Sequence, residues 1–149
     1  GVSINADNMT EIIGRSRIEG LKYTDLNLYE LERIRRKFPQ IKIMFGKDES
    51  LLYALPAGVD GAIGSTYNFT LKLFKKIWNA YRQGQLQEAE KLQHEANIMI
   101  SEMLRVKNII AAEKYLLGKK GIQCGNCRAP FRPLTEEEKH ILDGIGDIN

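Results

Sequence analysis

The chain has 149 residues, 43% hydrophobic and 28% charged, which is enough apolar material for one globular domain or a piece of a larger fold, and too much for a disordered segment. Its 22 basic and 19 acidic residues leave a formal charge of +3 and are spread along the sequence, so no concentrated field for nucleic acid is expected. No run approaches the roughly 20 apolar residues that span a bilayer, and the N-terminus lacks the charged-then-apolar layout of a signal peptide. Two cysteines are too few for a disulfide framework and fit a reducing compartment. A soluble cytoplasmic protein with no nucleic-acid and no membrane partner is therefore expected. The first residue is Gly1 rather than Met, which points to processing or to a fragment.

A helical stretch near Asn8–Ile13 comes first, and Ile18–Thr24 then reads as a short strand. Leu28–Phe38 carries Leu28, Leu31, Ile34 and Arg35 at helical spacing and is ended by Pro39. Ile41–Gly46 is a second strand, followed by a short helix over Ser50–Ala57 that Gly58 can close. Gly61–Ser65 is a third strand. Over Phe69–Arg82, Leu73, Phe74, Ile77, Trp78 and Tyr81 share one helical face, with Lys72, Lys75, Lys76, Asn79 and Arg82 largely opposite, and Gly84 is the expected stop.

From there the pattern is helical: Leu86–Val106, Ile109–Leu117, and Thr135–Ile145, where Thr135 and Glu138 have capping-box spacing. Gly121–Pro133 reads as a loop. Strand and helix alternate first and helices follow, so the expected class is α/β: about three parallel βα units over residues 1–83, then a helical extension over 84–149. The paired lysines Lys75-Lys76 and Lys119-Lys120 sit beside apolar stripes and read as solvated helix surface.

Strand side chains alternate, so Ile18, Gly20, Lys22 and Thr24 share one face of the first strand. A lysine inside a βα layer must be desolvated or paired, and desolvation favours the neutral amine that a nucleophile needs. Taken alone, a single strand lysine reads as an edge or surface residue. Two polar strand ends add to it: Gly46-Lys47-Asp48-Glu49 after the second strand and Gly64-Ser65-Thr66-Tyr67-Asn68 after the third. In parallel βα barrels the active site is built at the C-terminal strand ends, so Thr24, Gly46, Asp48, Glu49 and Ser65 would converge above Lys22. Equally, Asp48, Glu49 and Ser65 could serve as helix N-terminal groups, favoured by capping and by the dipole.

Gly20-Leu21-Lys22-Tyr23-Thr24 resembles the strand that carries the Schiff-base lysine in the N-acetylneuraminate lyases, within the wider dihydrodipicolinate synthase group of pyruvate-dependent aldolases. Phe45-Gly46-Lys47-Asp48-Glu49 is similar to their glycine and acidic-pair segment, and Gly61-Ala62-Ile63-Gly64-Ser65-Thr66-Tyr67-Asn68 to their last barrel strand and its turn. Arg128-Ala129-Pro130-Phe131 is similar to the segment before the family's terminal helix. The resemblance implies the C-terminal part of a (β/α)8 TIM barrel, with Lys22 catalytic and Thr24, Gly46, Asp48, Glu49 and Ser65 binding substrate.

It also implies class I aldol cleavage of N-acetylneuraminate to pyruvate and N-acetylmannosamine through an imine, with no metal or other cofactor, in a homo-oligomer that is typically a tetramer. The family's carboxylate-holding Ser-Thr pair and proton-shuttling tyrosine would lie on strands before Gly1. A truncated or split lyase that needs a missing N-terminal half, and another pyruvate-dependent aldolase or synthase, are the alternative readings. Lys47 stands where the relatives often carry an aromatic or other residue. Cys124-x-x-Cys127 supplies two of the four ligands that zinc takes, and His94 and His140 are far apart without a linking carboxylate pattern, so no metal site and no Ser-His-Asp hydrolase is expected.

Overall fold

The computed structural model describes residues 4–15 and 17–145; Gly1 lies outside them. The chain forms two compact units, residues 1–64 and 65–149. In the first, α1 (Met9–Arg15) precedes β1 (Gly20–Tyr23), α2 (Leu28–Lys37), β2 (Lys42–Phe45), the short helix α3 (Leu51–Ala54) and β3 (Gly61–Ala62). The three strands form one parallel sheet in the order β1-β2-β3. Lys22 pairs with Met44 and Tyr23 with Phe45, while Phe45 pairs with Ala62.

Two-residue alternation decides which side chains enter the core. Tyr23, Ile43 and Phe45 share one face and are buried, as are Leu31 and Ile34 of α2, whereas Lys22 on the opposite face is exposed and Met44 is half-buried. Asn27 caps α2 by accepting from the Glu30 N–H, and Arg35, Arg36 and Lys37 occupy its last turn, where cations suit the helix dipole. Helix α3 is flanked by 3-10 turns at Asp48–Ser50 and Leu55–Ala57, and Gly58 closes the segment at φ +82. At the other end of the sheet Asp60 receives the Ile43 N–H at 2.8 Å and pairs with Arg35 and Lys42, tying β2 to the turn before β3.

The strands are shorter than the apolar runs imply. β3 holds only Gly61 and Ala62, although the Ile63 N–H still donates to the Phe45 carbonyl at 2.8 Å. Gly61 and Gly64 offer no side chain to pack, which shortens a strand at the sheet edge.

The second unit holds α4 (Tyr67–Arg82), α5 (Leu86–Met103), α6 (Ile109–Lys119) and α7 (Glu136–Asp143). Helix α4 begins two residues before the apolar stripe and is kinked at Thr70, whose hydroxyl donates to the Thr66 carbonyl at 2.7 Å. Leu73, Phe74 and Ile77 of α4 are buried; α5, packed against α4, buries Ala89, Leu92, Ala96, Met99 and Met103. The turn between these helices uses Gly84 at φ +73. Helix α7 opens with the expected capping box: Thr135 Oγ1 accepts from the Glu138 N–H at 3.2 Å, and the Glu138 carboxylate accepts from the Thr135 N–H at 2.9 Å. Among the described residues no helix is long and apolar enough to cross a membrane.

Candidate active site

Where β1 and β2 run out side by side, the Gly46 N–H donates to the Tyr23 carbonyl at 2.8 Å, extending the ladder one step past Phe45. This step brings the α-carbon of Gly46 against the side chains of Lys22 and Thr24. A β-carbon built on Gly46 would overlap Thr24 Oγ1 and fall 2.8 Å from Lys22 Cε. Only a residue without a side chain leaves that space to the lysine and threonine together. Lys22, Thr24 and Gly46 therefore form one cluster on one face of the sheet, as alternation and strand register require.

Asp48 comes next, at the head of the 3-10 turn, and is buried. A β-carbon on Gly64 would fall on the Asp48 carboxylate, so the end of β3 is shaped around this acid in the same way that the end of β2 is shaped around Lys22 and Thr24. Glu49 is half-buried and lies 3.7 Å from Lys47 Nζ in an ion pair. The N-cap residues of the 3-10 turn and of the helix after it, Lys47 and Ser50, make no side-chain cap. Ser65 is exposed and opens the second unit, where its carbonyl accepts from the Asn68 backbone at 3.2 Å and from Asn68 Nδ2 at 2.8 Å.

The Lys22 side chain is exposed, as a single strand lysine reads when taken alone. The physical reason is the number of strands. Three parallel strands present a face but cannot enclose one, whereas eight are needed to close a barrel. Two features of the site went unread in the sequence. One is the role of Gly64 as the seat of the Asp48 carboxylate, for which the glycine at the end of a short strand is the available signal. The other is the Lys47–Glu49 pair, signalled by opposite charges two residues apart.

On the back of the strand pair, the Tyr23 hydroxyl donates to the Asn27 carbonyl at 2.7 Å. Burial, with Asp25 and Glu30 nearby, pushes its pKa up to about 12. This fixes the chain where it leaves β1, directly beside Lys22 and Thr24.

Parallel strands leading into helices, with polar side chains gathered where the strands end, define part of a (β/α)8 barrel. The chain belongs to the Dihydrodipicolinate synthetase family, which matches residues 1–145. Among solved structures it is 35% identical to CdNal from Clostridium difficile, in complex with mannosamine, with a TM-score of 0.91 over 97% of this chain and 50% of that one. It is 34% identical to the N-acetylneuraminate lyase of Fusobacterium nucleatum, with a TM-score of 0.89 over the same shares. For the sialic acid aldolase of Ruminococcus gnavus the identity is 25% and the TM-score 0.90, covering 97% of this chain and 49% of that one. The chain thus spans about half the length of the structures it matches, and the match is that of a C-terminal half.

Proposed function

We propose that this chain carries the imine-forming lysine and the sugar-binding strand ends of an N-acetylneuraminate lyase. The observation that supports the reading is the clearance at Gly46, which the side chains of Lys22 and Thr24 share where β1 and β2 end. In this reading residues 1–83 are the barrel part and 84–149 a helical extension, in a cytoplasmic homotetramer that needs no metal.

The amine of Lys22 attacks the ketone carbon of the open-chain sugar acid, and loss of water leaves a protonated imine. A base takes the proton of the hydroxyl on the fourth carbon, the bond between the third and fourth carbons breaks, and its electron pair moves into the imine as an enamine. N-acetylmannosamine leaves as the aldehyde. The enamine then takes a proton at the third carbon, and water hydrolyses the imine to pyruvate and free Lys22. Thr24, Asp48, Glu49 and Ser65 hold hydroxyls and orient the breaking bond. By the family resemblance, the base and the groups that hold the substrate carboxylate come from strands other than these three.

A second reading is favoured by the exposure of Lys22 and by the half-length match: the site turns over only when further strands complete the barrel. Cleavage of N-acetylneuraminate is the test, measured beside shorter 2-keto acids for the chain and for Lys22→Ala. Cleavage that prefers the sugar acid and disappears in Lys22→Ala supports the first reading. No cleavage by a folded chain that still binds pyruvate covalently supports the second. Retained cleavage in Lys22→Ala overturns the mechanism, and a preference for shorter acids moves the activity to another aldolase of the family.

A further inference from the structure

The loop from Gly121 to Pro133, between α6 and α7, carries the Cys124-Gly125-Asn126-Cys127 run, which the chemistry above does not use. Cys124 is exposed, Cys127 is half-buried, and neither is in a disulfide. Both line a cavity of about 430 Å³ in the second unit, which Lys114 and Tyr115 of α6 also line. That volume falls within the range of small-molecule sites.

Lys114 Nζ donates to the Cys124 carbonyl at 3.1 Å and to the Asn126 carbonyl at 3.2 Å. One ammonium thus bridges the carbonyls of two residues of that run, and residues 122–128 form neither a turn nor a bend. A disulfide needs α-carbons about 4.4–6.8 Å apart, a spacing that a turn between residues i and i+3 provides, and Cys124 to Cys127 form no such turn. Closing Cys124 onto Cys127 therefore requires the run to fold up, and the Lys114 hydrogen bonds oppose that movement. Gly125, at φ +63, is the natural pivot, since it changes backbone conformation without a side-chain clash.

We propose that Cys124 and Cys127 are a dithiol modification site, converted to an internal disulfide by a low-molecular-weight disulfide that enters this cavity, with Lys114 as the clamp that holds the reduced loop open. The thiolate of exposed Cys124 attacks one sulfur of the reagent, the reagent's S–S bond breaks, and one thiolate leaves. The thiolate of Cys127 then attacks the Cys124 sulfur of the mixed disulfide and expels the second thiolate. The dithiol gives up two electrons and two protons, and the reagent ends as two thiols.

The test uses the 149-residue chain with oxidised glutathione, acid quenching and peptide mass spectrometry. The expected product is a peptide spanning Cys124 to Cys127 that is lighter by two hydrogens. Cys127→Ser is expected to stop at a glutathione adduct on Cys124, and Lys114→Met to close about tenfold faster, as expected from losing hydrogen bonds to a charged group. Should Lys114→Met lose helix by circular dichroism, Lys114→Gln serves the same comparison. Stable glutathione adducts or disulfide-linked dimers in place of the internal bridge would overturn the dithiol site. Closure no faster without the Lys114 ammonium would overturn the clamp.

Discussion

At Gly46 the absent side chain is the space that Lys22 and Thr24 occupy, so the most informative substitution there is the smallest. Gly46→Ala places a methyl group on Thr24 Oγ1 and close to Lys22 Cε, and one of the two must move. The expected result is a loss of about tenfold or more in covalent capture of pyruvate, since a shift costing about 1.4 kcal/mol in the transition state is tenfold in rate. Thr24→Ala in the same chain removes the clashing oxygen and should restore part of the loss, a coupling that independent sites would not show. Tyr23 offers a separate check. Tyr23→Phe removes its hydrogen bond to Asn27 and should cost about 1 kcal/mol in denaturant unfolding. Because the folded pKa is raised, this hydroxyl's contribution is present below the ordinary tyrosine pKa of about 10 and lost as pH rises through about 12. The stability difference between wild type and Tyr23→Phe should accordingly shrink over that alkaline range. The proximity of Lys22 to Thr24 was legible because strand alternation is strict; the degree of enclosure of Lys22 was not, because alternation says nothing about how many strands surround a face.

Helix α7 shows which part of an element a local pattern can encode. Thr135 and Glu138 announce the capping box by spacing alone, and Thr135→Ala should destabilise the second unit by about 1 kcal/mol. Its longer-range ties have no local signature. The Glu138 carboxylate takes both Arg132 guanidinium nitrogens at 2.7 Å and accepts the Lys107 N–H at 3.2 Å, joining α7 to the loop before it and to the connection ahead of α6. Asn108, which caps α6, donates to the Arg132 carbonyl and closes the same junction. The hydrogen bonds from Arg132 and from the Thr135 backbone hold the Glu138 carboxyl well below the usual carboxylate range. A depressed folded pKa contributes stability above the unfolded value and loses it as pH falls. Glu138→Gln should therefore unfold more easily than wild type near neutrality, with the gap narrowing as the solution is acidified past the ordinary carboxylate range, read by thermal melts across pH. The start of α4 was misplaced by two residues for a related reason: its first turn is set by Thr66 and Thr70 hydrogen bonds rather than by the apolar stripe.

Across the whole chain, the succession of strands and helices, the parallel sheet and the helical second half follow from periodicity and turn residues, because each depends on neighbours within a few positions. Strand lengths do not, since β1 and β3 have a hydrogen-bonded partner on one side only among the described residues. The division into units at Gly64 and Ser65 also has no linker to mark it, because the break falls inside a continuous strand-to-helix turn. In the proposed function, one lysine on the unburied face of β1 joins fold to chemistry. The most direct test incubates the folded chain with pyruvate, reduces with borohydride, and maps the label by peptide mass spectrometry. An adduct confined to the peptide containing Lys22 and absent from Lys22→Ala is the predicted result; a folded chain that takes up no label, or takes it up on a different lysine, would contradict the assignment of Lys22 as the imine-forming residue.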